Sequence, residues 1–293
     1  MVPFKFYWER LDYWAGIKFL IVMLVLYILS KWIEFPWYLV GTSVLLAWMV
    51  VLLGNPKNKI LMVFLYLVVG TGITLLNNLF FDTYWPWLIS IFIVTFFGTF
   101  LLKFGMHWYM LGWCSILWFY IMPIMGQMGN AQELVFSHVL GSAAVLILVT
   151  LTVLWKHSRK ELPEETAAEP EEEEAAPIAL WWITTYSTIV AVVMVFGLIV
   201  GHKYLTDPTM IANAAFMIIV FTGNAIIWKA GLERMIGAIL GIVLGFYLGA
   251  LFPFELLGII VMVLFYFLLL VFVVVNNGAV IFFFLITISF GRF

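Results

Sequence analysis

The chain has 293 residues, of which 65% are apolar and 10% charged, with a formal charge of −2 and a mean hydropathy of +1.13. No soluble domain of this length can cover so much apolar surface. The composition leaves no soluble basic surface for nucleic acid, and a lone cysteine, Cys114, excludes an intrachain disulfide.

The chain opens with "MVPFKFYWERLDY", a mixed-charge leader with no small-x-small cleavage site after the apolar stretch that follows. It is expected to stay attached. From there, apolar runs recur at the length of about 20 residues that crosses a hydrocarbon core of about 30 Å. The polar breaks predict spans over 14–31, 37–54, 60–78, 84–103, 108–127 and 133–155, then 180–200, 208–228, 234–251, 254–275 and 278–291, eleven in all. The predicted fold is an all-α, polytopic helical membrane protein.

Basic residues bias toward the cytoplasmic side in short loops. With the N-terminus cytoplasmic, Lys5, Arg10, Lys57, Lys59, Lys103, Lys156, Arg159, Lys160, Lys229 and Arg234 fall inside, and only Lys31, Lys203 and Arg292 fall outside. A multi-pass protein of the cell inner membrane is expected, with the lipid bilayer as its first partner.

Residues 156–177, "KHSRKELPEETAAEPEEEEAAP", carry eight glutamates and three prolines without apolar periodicity. This segment reads as an acidic, disordered cytoplasmic linker. It divides the chain into a first transmembrane repeat (1–155), the linker (156–177) and a second repeat (178–293). Six spans precede it, so the chain re-enters the membrane from its starting side and the second half, with five spans, must repeat the first in parallel. Two short stretches support this: "SKWIEFP" after the first span matches "HKYLTDP" after the seventh, placing Lys31 and Lys203 in equivalent outer turns. The pairs Gly54-Asn55 and Gly223-Asn224 each end the span that follows. Parallel repeats imply a pseudo-twofold axis along the membrane normal, with a pathway at the repeat interface.

Several residues are candidates for a site. Gly237, Gly241, Gly245 and Gly249 recur every four residues along the ninth span, forming a groove for close helix packing. Arg234, just before that groove, can meet an anion at the inner mouth or pair with Glu233 or lipid. Tyr109, Trp113 and Tyr120 share one face of the fifth span. Such a face can stack a planar ring, or simply pack helices. Trp182 and Tyr186, one turn apart on the seventh span, invite the same two readings. Lys18 is the basic residue set clearly inside a span, where it binds a carboxylate or snorkels to the headgroups. No carboxylate is predicted at the midplane, and Glu133 and His138 near the outer end of the sixth span are the groups able to titrate.

The stretches "FPWYLVGTSVLLAW" and "GLERMIGAILGIVLGFYLG" resemble the second and third helices of the fusaric acid resistance family, bacterial aromatic acid exporters related to plant aluminium-activated malate transporters. The first repeat departs from the arginine-glycine pattern with "NPKNKILMVFLYLVVGTG", the second stops one span short, and the large cytoplasmic domain of many members is missing. The resemblance implies efflux of aromatic or other carboxylic acids, hence small organic anions as ligands.

Enzyme readings find little. There is no Gly-x-x-x-x-Gly-Lys-Ser/Thr phosphate loop. His107, His138, His157 and His202 are scattered, without the spacing that holds haem, zinc or copper. No enzyme activity, metal or cofactor is expected. Beside the transporter or channel stands an alternative, a noncatalytic membrane subunit or scaffold, as a homo-oligomer or with other membrane-complex subunits.

Overall fold

The computed structural model describes residues 13–33, 35, 37–53, 58–80, 83–126, 131–158, 179–204, 240 and 243. Among them every regular element is helical: α1 (Tyr13–Ser30), α2 (Trp37–Leu53), α3 (Lys59–Phe80), α4 (Tyr84–Phe100), a 3-10 turn (Leu101–Phe104), α5 (Met106–Gly126), α6 (Ala131–Ser158) and α7 (Leu180–Tyr204). These seven helices begin and end within four residues of the first seven predicted spans. The eighth to eleventh predicted spans lie outside the described residues.

Four stretches are long and apolar enough to cross a membrane: Lys59–Phe80, Tyr84–Phe104, Gln132–Trp155 and Leu180–Val200. Gly16–Ser30 and Leu39–Val51 are shorter apolar helices. In chains of this kind helices dominate because hydrocarbon offers no partner to a backbone N–H or C=O, so each segment must satisfy its own.

Two boundaries differ from the sequence expectation. Helix α6 continues through Lys156 and His157 to Ser158, so the start of the acidic linker is helical. Helix α7 likewise runs to Tyr204, so Lys203 sits in its final turn whereas Lys31 follows the end of α1.

The chain divides into two compact units. One comprises Met1–Leu29 with Met217–Phe293. Its described part is α1, which buries Phe19, Val22, Met23 and Leu26, the i, i+3, i+4, i+7 spacing of a single helical face. The other comprises Ser30–Phe216 and holds α2 to α7.

Within that second unit α6 packs on α2 and α3, α4 packs on α7 and α5, and α5 also touches α2 and α3. Helices α2 and α5 are buried all round over residues 39–51 and 109–119. A helix that is apolar on every face belongs in such a central position. The other four bury only one face: about a third of the spans of α3, α4 and α7, and 39% of that of α6, is enclosed. Their remaining surface carries large apolar side chains such as Phe64, Phe97, Leu151 and Phe196.

The α4–α5 connection shows how tightly the helices meet. Gly105 takes a φ of 105°, the left-handed region that glycine enters without penalty, and ends the 3-10 turn. Seven residues to either side, Gly98 and Gly112 cross with their backbones in direct contact. A Cβ on Gly112 would overlap the backbone of Gly98, and one on Gly98 would lie 2.6 Å from Ile116.

Candidate functional site

Four helices of the second unit bring polar groups to one level. Ser43 is the seventh residue of α2 and His138 the eighth of α6, while Thr74 and Trp118 are the seventh and ninth from the ends of α3 and α5. Short connections make consecutive helices antiparallel. All four residues therefore lie toward the same end of the bundle, about 10 Å in along α6 at 1.5 Å per residue.

His138 is fully buried, and its ring is held on three sides. The Ser43 hydroxyl donates to the backbone oxygen of His138 at 3.0 Å and lies 3.3 Å from Nδ1 and 3.1 Å from the Ser142 hydroxyl. A hydroxyl has one proton and two lone pairs. With its proton on the carbonyl, Ser43 Oγ can accept from a ring that carries Nδ1–H and from Ser142. Whichever ring nitrogen carries the proton, Nε2 has no hydrogen-bond partner.

Aromatic rings close the other sides. Tyr66 stands edge-on with its centroid 5.1 Å from the imidazole, and Trp118 lies tilted at 4.9 Å. The Trp118 indole donates to Thr74 Oγ1 at 2.9 Å, and Thr74 donates onward to the Gly70 carbonyl at 2.7 Å. Gly70 supplies the space, since any Cβ there would overlap Nε2 and Cε1 of His138. The missing side chain lets α6 press its histidine against α3 at Gly70.

Burying a polar group in an apolar medium is costly unless it is hydrogen-bonded. Here the Ser43, Ser142, Thr74 and Trp118 groups are satisfied, whereas His138 Nε2, Tyr66 Oη, Asn77 Oδ1 and Ser137 Oγ are buried without partners. The centre therefore combines a rigid hydrogen-bonded frame with unused donors and acceptors.

The residues singled out from the sequence are dispersed. Lys18 is half-buried on α1 and Lys31 is exposed just after it. Tyr109 and Trp113 are buried in α5, which is enclosed on every side there, as helix packing requires. Tyr186 is half-buried and stacks on Trp182 at 5.3 Å with 8° between the rings. Tyr120 lies on α5 and Lys203 in the last turn of α7, with side chains outside the described set. Arg234, Gly237, Gly241, Gly245 and Gly249 also lie outside the described residues.

The sequence reading noted His138 only as a titratable group and missed Ser43, Gly70, Thr74, Trp118 and Ser142. The available signal was His138 and Ser142 one turn apart inside an apolar span, with Gly141 between them. Among the described residues no three His, Cys, Asp or Glu side chains gather to hold a metal ion. No family model, curated protein or solved structure matches the chain.

Proposed function

We propose that this is a multi-pass inner-membrane transporter or channel for small organic anions, carrying aromatic or other carboxylic acids outward. It would need no cofactor and perform no catalysis. The supporting observation is the His138 centre: His138 and Ser142 on α6, with Thr74 on α3, sit buried inside helices long and apolar enough to cross a membrane. Ionisable groups at such depth are expensive and mark solute or ion pathways by default.

The same proposal carries the finer architecture, eleven spans in six-plus-five parallel repeats with a cytoplasmic N-terminus, and the resemblance to the fusaric acid resistance family. The basic-residue asymmetry of the loops is compatible with it. Lys18 at the inner end and Lys31 with Lys203 at the outer turns would raise the local concentration of anions.

A second reading, a noncatalytic membrane subunit, is favoured by the enclosure of Tyr109 and Trp113, which leaves the α5 aromatic face no opening among the described residues. Flux in proteoliposomes separates the two. Lys31→Gln with Lys203→Gln should slow entry of benzoate and succinate alike and blunt the salt dependence. Trp113→Phe, chosen because the site is buried, should slow benzoate more than succinate. Equal, small effects in well-folded protein would favour the subunit reading.

A further inference from the structure

The His138 centre holds a buried imidazole with one ring nitrogen unused. In the neutral Nδ1–H tautomer the ring needs one acceptor and has it in Ser43 Oγ, 3.3 Å away. The Nε2 nitrogen, pressed against α3 because Gly70 carries no side chain, has no hydrogen-bond partner and is the position open to an added proton. Trp118 holds its ring centroid 4.9 Å away. That is inside the roughly 6 Å over which an aromatic face attracts a cation.

We propose that His138 is a proton-binding site, loaded from the bundle end at which α6 begins. The proton passes from a water molecule to the Nε2 lone pair. That water regains a proton from the bulk, no other bond changes, and the reverse step discharges the ring. Buried polar atoms without partners are where internal water binds. Two such atoms, Asn77 Oδ1 and Ser137 Oγ, lie at this level or nearer that end: Asn77 is three residues from the end of α3, and Ser137 precedes His138.

The titratable neighbours among the described side chains are few. Helix α3 presents Tyr66, α5 presents Cys114 beside Tyr66, and α2 presents only the Ser43 hydroxyl. On α6 the nearest is Glu133, five residues earlier and so about 140° round the helix. No Asp, Glu, Lys or Arg is among the buried side chains described. The charge would therefore lack a fixed carboxylate partner, and a mobile anion would be its natural counter-ion. That last step rests on the transport proposal, whereas proton binding does not.

The test is nitrogen NMR of the full-length protein in lipid nanodiscs, with histidines labelled with nitrogen-15 and His138 assigned by its loss in His138→Gln. Between pH 4 and 8 the ring should pass reversibly from a neutral tautomer to imidazolium, with thermal unfolding confirming that the protein stays folded. Trp118→Phe and Ser43→Ala should each lower the proton affinity at least threefold. If Ser43→Ala fails to fold, Ser142→Ala, which leaves Ser43 in place, should shift the midpoint less than Trp118→Phe does. A ring that keeps one protonation state, neutral or charged, across this range overturns the proposal. Flux is not part of the readout: a silent His138 in a protein that transports removes this inference alone, and a titrating His138 in one that does not transport removes only the transport reading.

Discussion

At Gly70 a single hydrogen in place of a methyl decides whether α6 can seat its histidine, because a Cβ there would overlap the imidazole. Gly70→Ala should therefore destabilise the protein by about 1–3 kcal/mol, the usual cost of overpacking. Gly72, two residues on, has open space where a methyl would stand, with nothing within 4 Å of that position. Gly72→Ala should be neutral or stabilising by up to about 1 kcal/mol through helix propensity. Thermal unfolding of both variants in one detergent checks the contrast, and equal effects would show that the Gly70 notch is not tight. Ser43→Ala should cost about 1–3 kcal/mol, since it removes the partner that His138 Nδ1 and the Ser142 hydroxyl share. None of this was legible locally. Ser43 and His138 are 95 positions apart, and Gly70, on a third helix, looks in sequence like any other small residue in an apolar run.

The helices themselves were largely legible. Polar breaks such as "GNPKN" and "FDT" interrupt the apolar runs, and α2, α3 and α4 begin or end beside them. What the pattern does not contain is which runs become central. Helices α2 and α5 resemble the others in composition, yet they are enclosed while α3, α4, α6 and α7 show one broad apolar face outward. That placement explains the aromatic run of α5: Trp113 and Trp118 fill space between helices, so sharing a face at helical spacing does not distinguish a lane from a core. At the α4–α5 crossing, Gly112→Val should drive the two backbones apart and lower stability by about 1–3 kcal/mol. Gly98→Ala should cost less, because the nearest group it meets is the flexible end of Ile116. A Gly112→Val protein that melts with the wild type would contradict the crossing.

On the scale of the whole molecule, the two halves of the sequence do not coincide with the two compact units. Helix α7, although it follows the acidic linker, belongs with α2 to α6 and packs along α4, whereas α1 is grouped with the C-terminal stretch. Composition identified the linker but carried no information on this exchange, which depends on contacts across more than 80 residues of chain. Proteolysis within 159–178 should accordingly leave both fragments co-eluting in mild detergent, held by the α4–α7 contact. Fragments that separate would contradict that pairing. A cysteine at Ala168 should be labelled from the cytoplasmic side of the membrane, as the basic-residue count requires.

The central claim, that a buried histidine centre serves passage of organic acids, is tested most directly by benzoate flux into proteoliposomes containing the wild type or His138→Gln, each first shown to be folded by thermal unfolding. The expected result is saturable wild-type flux well above that of protein-free vesicles, reduced at least tenfold in His138→Gln. Wild-type flux no faster than that of protein-free vesicles, or full flux in His138→Gln, would contradict it.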